Sequence, residues 1–415
     1  MKQLVGEDME AYALRREEEM RVDRQFRIVR FRKSARSEVN IFDSAEFQLQ
    51  LLDLGGGAVN TTLARGTGTA TFTRATTAWT KLASGLWASV ATGVARSAYL
   101  GQNTAVTAYG GYLAEAAGTQ LVTPTASIRD MTDASWVKVT MTTAFTSTGI
   151  GGVANSCTRC TATGASATIL QTLTAAASSR TYSCWIKRIT GTGTIGICQD
   201  GVTFTDITAQ INSSTFTLVQ LNASQLNAAF GIQIVTSGDA IDVDFNQFEA
   251  GAFATSPMDA AGAVRNIDVL TYPNTGNVLD ATGTFYGEIS TEWATNTGGS
   301  PVAAGLSVST HMLFSANTVP TTVIASDGTT NATKTGLTDM STGVRKRASS
   351  WGGTGQSITG DGVTVATAAF DGSMNSTIIS IGCRGDGGAG WGGTIKNVRI
   401  WQTQLSDATL QAITT

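Results

Sequence analysis

The sequence predicts a mainly β protein with two antiparallel β-sandwich (jelly-roll) domains, preceded by a short charged N-terminal segment that is α-helical or extended. Three observations indicate this fold. Short runs of alternating residues, rich in β-branched and aromatic side chains and separated by Gly, Asn or Asp, recur along most of the 415 residues. Only 5 prolines occur, which suits central strands because proline lacks a backbone N–H. Helical patterns are sparse beyond the first 50 residues.

The overall composition excludes several classes of protein. Hydrophobic residues make up 42% of the chain and the net charge is −3, so the chain can bury a core and is not disordered. No stretch approaches the roughly 18 consecutive apolar residues of a membrane span, which argues against membrane insertion. A pI of about 5.3 argues against nucleic-acid binding by bulk charge. With a single histidine, His311, catalysis based on histidine is a poor prospect.

Charge is concentrated at the N-terminus, where the first 50 residues hold 20 of the 59 charged side chains. This shift in composition predicts a separate segment over residues 1–54. Residues 7–36 suggest a charged helix, although the basic run 24–33 could equally be a strand. The segment is either a solvated helix or a docking segment, and we favour docking. The docking candidates are Arg24, Phe26, Arg27, Arg30, Phe31 and Arg32.

The first predicted sandwich covers residues 55–256, after the glycine run at 55–57. Its strand-like runs are residues 69–73, 136–141, 181–186 and 241–245. A stretch of small residues containing Pro257 predicts a linker over residues 257–279.

The second predicted sandwich covers residues 280–415. Its strand-like runs are residues 285–293, 312–314, 363–367, 377–381 and 394–401. A short helix over residues 406–414 follows, with Ser406 as its N-cap.

Several strings resemble bacteriophage tail-fibre and other virion structural proteins. They are TFTRATT (71–77), GVARSAY (93–99), GYLAEAAGTQL (111–121), FEAGAFATSP (248–257) and AAGAVRNIDVLTY (260–272). Between them, residues 122–255 occupy the place of a carbohydrate-binding-module-like jelly roll. GTFYGEISTEW (283–293) and the string at 390–413 resemble the opening and closing strands of a concanavalin-A/laminin-G-like sandwich.

The resemblance implies a non-enzymatic virion component: a fibre, spike or decoration on the tail, collar or head. Such a protein is made in the host bacterial cytoplasm and displayed on the particle surface. Its implied partners are other virion proteins, further copies of itself in a homotrimer, and a host cell-surface glycan. Residues 1–54 would then dock on the virion. No cofactor is implied.

Two kinds of binding residue are candidates. Trp351 and Trp391 lie among glycine-rich loops of the second sandwich, and an exposed tryptophan face can stack on a sugar ring. Asp242 and Asp244 alternate along one strand, so their carboxylates could bind Ca²⁺, although a polar outer strand face explains them better.

The main catalytic alternative is a glycoside hydrolase that uses Glu288 and Glu292. Some concanavalin-like hydrolases carry Glu-x-Asp-x-Glu on one strand, whereas Ser290 stands at the middle position here. Cys157 and Cys160 have a redox-like spacing, but the five cysteines fit buried thiols better. The GxGxxG match at residues 191–196 lacks a βαβ context and predicts a turn.

Overall fold

The computed structural model describes residues 41–99, 108–123, 127–258, 262–292, 300–315 and 319–415. Residues Met1–Glu46 and Phe47–Thr415 separate into two compact units, and the fold below is that of the second unit. The six docking candidates between Arg24 and Arg32 lie outside the described residues.

Antiparallel strands dominate the described residues, which confirms the predicted mainly β fold. The strands up to residue 206 are β1 (Phe47–Leu49), β2 (Asp53–Gly55), β3 (Ala58–Val59), β4 (Leu63–Arg65), β5 (Thr71–Thr73), β6 (Ala78–Lys81), β7 (Trp87–Val90), β8 (Arg96–Tyr99), β9 (Tyr109–Ala114), β10 (Gly118–Thr119), β11 (Val137–Val139), β12 (Met141–Ser147), β13 (Cys157–Ala162), β14 (Ala167–Thr172), β15 (Ser178–Thr190), β16 (Ile195–Cys198) and β17 (Thr205–Asp206). The later strands are β18 (Thr217–Gln225), β19 (Ala229–Ile234), β20 (Ala240–Ala250), β21 (Val264–Arg265), β22 (Val269–Tyr272), β23 (Gly283–Ile289), β24 (Val302–Gly305), β25 (His311–Ser315), β26 (Val323–Ser326), β27 (Asn331–Lys334), β28 (Arg345–Gly352), β29 (Gly355–Gly360), β30 (Ala366–Ala368), β31 (Ile379–Ile381) and β32 (Gly393–Trp401).

The first sandwich consists of two five-stranded sheets. Their strand orders are β11-β14-β19-β16-β17 and β12-β13-β20-β15-β18. Alternate residues of each strand point inward, so Ile169 and Ile232 of one sheet and Ile186 and Val243 of the other share one buried cluster. Phe230 stacks on Phe248 in this core, with ring centroids 4.2 Å apart.

The second sandwich pairs an eleven-stranded sheet with a seven-stranded sheet. The larger sheet runs β2-β3-β8-β9-β32-β23-β28-β29-β30, with β1 and β4 attached beside β32. The smaller runs β27-β26-β25-β24-β31-β22-β5. Phe285 and Ile400 of the larger sheet share a core with Met312 and Ile379 of the smaller.

Strand pairing divides the predicted first domain, residues 55–256, between the two sandwiches. β9 pairs with β32, and β5 pairs with β22, so both belong to the second sandwich. The predicted N-terminal segment (1–54) and linker (257–279) also extend into it, since β1 pairs with β32 and β22 lies in the seven-stranded sheet. The physical reason is burial: Phe47, Leu49 and Tyr112 are fully buried in the core of the second sandwich. The first sandwich is therefore an insert between β9 and β22, and its two ends meet where β10 pairs with β21.

The predicted C-terminal helix is present as α1 (Asp407–Thr414). The Ser406 side chain accepts a hydrogen bond from the Thr409 N–H, the expected N-cap contact, and Leu410 and Ile413 are buried. A 3-10 turn covers Met340–Thr342. In the described part of the chain, no helix is both long and apolar enough to cross a membrane.

Candidate functional site

The two tryptophans proposed to stack on sugars are buried. Trp351 is 2% exposed and Trp391 is 0% exposed. Each indole N–H is satisfied internally, since Trp351 Nε1 donates to the Leu279 carbonyl at 3.0 Å and Trp391 Nε1 donates to the Ser290 carbonyl at 2.7 Å. These polar partners let both rings enter the core, so neither offers a face to a ligand.

The two calcium candidates are each held by arginine. Asp242 accepts hydrogen bonds from Arg159 Nε at 2.7 Å and from Ser147 Oγ at 2.8 Å. Asp244, which is fully buried, accepts two from Arg129, at 2.6 and 2.8 Å. Within the described ranges, no group of three or more His, Cys, Asp or Glu residues could hold a metal ion. Both carboxylates therefore accept hydrogen bonds from arginine in structural ion pairs.

The two glutamates of the hydrolase hypothesis have different surroundings. Glu288 on β23 lies 3.6 Å from Lys396 Nζ and accepts a hydrogen bond from the Tyr286 hydroxyl at 3.1 Å. Glu292 lies beyond the end of β23, where burial and nearby Glu115 raise its pKa to about 7 while Lys81 opposes this shift. The structure therefore gives the two carboxylates no common partner.

All five cysteines are buried and free. Burial raises the pKa of Cys184, Cys157 and Cys383 to about 12, so these thiols are poor nucleophiles at neutral pH. The glycine-rich match at residues 191–196 also has a structural role: the Gly193 N–H donates to Asp239 at 2.8 Å. At Gly191, where φ is +80°, a Cβ would lie 1.8 Å from the same carboxylate.

An extensive buried polar cluster lies at the junction between the two sandwiches. We call it the junction network, and it consists of Arg74, Arg96, Glu115, Ser256, Arg265 and Asp268. Arg74 Nη1 lies 2.7 Å from Asp268 Oδ1, and Arg96 contacts the other oxygen of the same carboxylate. Arg96 Nη2 also lies 2.8 Å from Glu115 Oε2, which Arg265 approaches to 3.2 Å.

Every charge of the junction network is removed from water and compensated by a neighbour. The side chains of Arg74, Arg96 and Asp268 are 0% exposed. Burial opposes ionisation of Glu115, yet Arg265 and Arg96 lower its pKa to about 2. Ser256 completes the set, since its N–H donates to Glu115 at 2.8 Å. Charged side chains can be buried here because each one contacts a side chain of opposite charge.

A β-hairpin made of β6 and β7 forms a second, apolar bridge to the first sandwich. Trp79 packs edge-on against Phe245 at 4.9 Å, and Trp87 packs against Trp185 at 5.2 Å. The carbonyl of Trp79 accepts a hydrogen bond from Arg96 at 2.8 Å, which links the hairpin to the junction network.

The sequence offered one signal for the junction network. All six residues lie inside the strings that resemble virion proteins: Arg74, Arg96, Glu115, Ser256, Arg265 and Asp268. The strings contain these positions, but no local pattern in them indicates that the charged side chains are buried.

An open groove with a volume of about 520 Å³ lies on the second sandwich. It is formed by the β28–β29 turn and the end of β30, and its lining residues are Ala281, Gly352, Gly353, Thr354, Gly355, Ala368, Ala369, Phe370 and Gly372. Phe370 is its half-buried aromatic side chain. Thr354 adds a hydroxyl to the lining. The neighbouring Asp371 accepts hydrogen bonds from the Thr329 hydroxyl and the Ser373 N–H, each at 3.0 Å.

Comparisons with known proteins give a weak structural similarity and no family assignment. No family model and no curated protein matches it. Among matching solved structures is the N-terminal CBM22-1-CBM22-2 tandem domain of Xyn10C from Paenibacillus barcinonensis, which is 9% identical. The match covers 70% of this chain and 99% of that one, with a TM-score of 0.25. A similarity this weak carries no argument about function, and what is established is a chain of antiparallel β-sandwiches.

Proposed function

We propose that this chain is a non-enzymatic structural protein of a bacteriophage particle. The residues before β1, 1–46, attach it to neighbouring virion proteins, and the two sandwiches are displayed at the particle surface as a homotrimer. Its displayed part contacts the host cell surface or stabilises the particle. The proposal combines the sequence resemblance with the physical character of the sandwich junction.

The junction network is the observation that carries this proposal. Two sandwiches joined by a flexible linker would change their relative orientation freely, whereas buried ion pairs with fixed hydrogen-bond geometry restrict such motion. Arg96 alone contacts Asp268, Glu115, Ser256 and the Trp79 carbonyl. A rigidly joined pair of domains suits a protein that bears load or projects from a particle.

The state of the candidate catalytic groups also supports a non-enzymatic role. A retaining glycosidase needs two carboxylates about 5–5.5 Å apart that flank the same bond. Here Glu288 is engaged by Lys396 and Tyr286, while Glu292 lies near Lys81 and Glu115. The cysteine thiols are buried and protonated at neutral pH.

Location on the particle is the direct test of the proposed role. Antibodies raised against residues 47–415 should label intact, purified particles at one kind of position, and native mass spectrometry of the full chain should give a trimer. A chain that is abundant in infected cells but absent from purified particles would refute the virion role. A stable monomer at all concentrations would refute the trimer.

A second candidate function is glycan binding in the groove, and it is favoured by the groove's shape and chemistry. Its volume of about 520 Å³ falls in the range that holds small ligands. The wall of glycine and alanine allows a flat ring to approach the backbone closely, and Phe370 supplies an aromatic surface. The Thr354 hydroxyl in the lining can form a hydrogen bond with a sugar hydroxyl.

Replacing Phe370 with alanine should weaken binding to the groove's glycan about tenfold or more, because stacking on the ring is lost. Glycan-array screening of the full chain identifies the ligand, and titration calorimetry then compares the variants. Leu226→Ala, which removes an exposed apolar side chain of the first sandwich, is the matched control and should leave affinity unchanged. Equal affinities for Phe370→Ala and the unmodified protein would exclude the groove.

A further inference from the structure

A row of three charged side chains crosses the outer face of one sheet in the first sandwich. Arg159 on β13 pairs with Asp242 on β20, and Asp242 pairs in turn with Lys187 on β15. The strand register therefore places the three residues side by side on one face. We call Arg159, Asp242 and Lys187 the cationic row.

The cationic row presents positive charge to solvent. Asp242 is 2% exposed, and its carboxylate is occupied by Arg159 Nε and Nη2 at 2.7 and 3.1 Å and by Ser147 Oγ at 2.8 Å. The side chains of Arg159 and Lys187 are 40% and 24% exposed. Two accessible cations thus flank one carboxylate that they and Ser147 bury, which leaves the row with a net charge of +1.

Lys187 is held in place without being neutralised. Its Nζ lies 3.8 Å from Asp242, at the outer limit of an ion pair, and 4.9 Å from the centroid of the Phe216 ring. A cation over an aromatic face is stabilised electrostatically and keeps its charge. The ammonium group is therefore positioned to receive an external anion.

The hairpin of β6 and β7 covers the neighbouring part of the same face. Asp244 lies two residues after Asp242 on β20 and pairs with Trp185. Trp87 of the hairpin packs against Trp185 and covers it. Arg159, Lys187, Phe216, Thr142 and Thr161 remain at least partly exposed on the face beside the hairpin. The exposed acids of this sandwich, Asp200 and Asp206 among them, lie in turns or in the opposite sheet.

We propose that the cationic row binds a carboxylated saccharide. The Lys187 ammonium pairs with the ligand carboxylate, and Arg159 donates to it through Nη1, which Asp242 does not use. Hydroxyls of Thr142 and Thr161 lie on the same face and offer hydrogen bonds to the sugar. Beside the row, the same face carries the Arg129–Asp244 pair, whose charges offset each other, and the hydroxyls of Thr142 and Thr161. A chain-like glycan can therefore lie across the strands with its carboxylate at the row. This site is on the first sandwich, and it acts independently of the groove and of the proposed virion role.

The inference is tested with the full chain and a set of oligosaccharides of uronic acids and of sialic acid, each compared with its carboxyl-reduced counterpart. Titration calorimetry at low salt should detect binding of at least one carboxylated member, and the reduced counterpart should bind roughly tenfold to a hundredfold more weakly. Raising the salt concentration should weaken binding, because the cations are exposed.

Lys187→Gln should reduce affinity by roughly the same factor of ten to a hundred, since one charged contact is lost. It should unfold at nearly the same temperature as the unmodified protein because Arg159 still pairs with Asp242. Lys334→Gln, on the second sandwich, is the matched control, and Phe370→Ala separates this site from the groove; both should bind the acidic glycan normally. Failure of every carboxylated glycan to bind, or binding that Lys187→Gln leaves intact, would overturn the inference.

Discussion

Replacing Arg96 with methionine should lower the free energy of unfolding by about 3–5 kcal/mol, the range expected when one partner of a buried ion pair is removed. Arg96 is 0% exposed and contacts both Asp268 and Glu115, so the substitution leaves two buried carboxylates with fewer partners. Urea denaturation followed by tryptophan fluorescence measures the loss, because Trp79 and Trp87 lie in the adjoining hairpin.

The matched control for this result is Arg384→Met. Arg384 also forms a two-pronged pair, with Asp386 at 2.8 Å, but the two side chains are 36% and 37% exposed. Removing an exposed pair should change stability by no more than about 1 kcal/mol. If Arg96→Met and Arg384→Met lose equal free energy of unfolding, burial is not the reason that the junction network stabilises the fold. A small loss in both would also remove the main argument for a rigid junction.

Replacing Trp351 with alanine should destabilise the second sandwich by about 3–5 kcal/mol, the usual cost of truncating a buried tryptophan. The ring is 2% exposed and packs beside Gly283, where an added Cβ would lie 2.2 Å from it. Urea denaturation should show the loss, and the fraction of Trp351→Ala that remains folded should keep its affinity for glycans.

Two further variants distinguish packing from ligand binding at this position. Trp351→Phe should lose less stability than Trp351→Ala because most of the ring volume remains. Phe370→Ala, in the open groove, should lose less stability than Trp351→Ala, because Phe370 is only half-buried against the same core. A Trp351→Ala protein of normal stability that had lost glycan binding would show that the tryptophan contacts ligand directly.

Local sequence patterns predicted where strands and the helix occur more successfully than they predicted which strands pair. The alternating runs identified strands such as β20 and β32, and Ser406 marked the start of α1. Alternation reports which residues face a core, but it does not report which core. Phe47 and Leu49 therefore gave no indication that they pair with β32, more than 300 residues later.

The candidate site was less predictable, for reasons specific to its residues. Whether Trp351 is exposed depends on the Leu279 carbonyl, which a distant segment supplies. The groove is formed by three segments that meet only in the folded chain, and its glycines resemble any other turn glycines. The cationic row depends on register across three strands, which a two-residue period alone does not specify.

The long-range pairing of β1 has a consequence for synthesis of the chain. An Arg399 nitrogen on β32 donates to the Leu49 carbonyl on β1, a separation of 350 residues. At about 5–20 residues per second, roughly 20–70 seconds pass between the translation of these two strands. The first sandwich, encoded as one continuous stretch, can fold during that interval. During that interval β1 to β9 lack the later strands that cover their apolar faces, which exposes them to aggregation. Production of this protein therefore depends on how those faces are shielded on the ribosome.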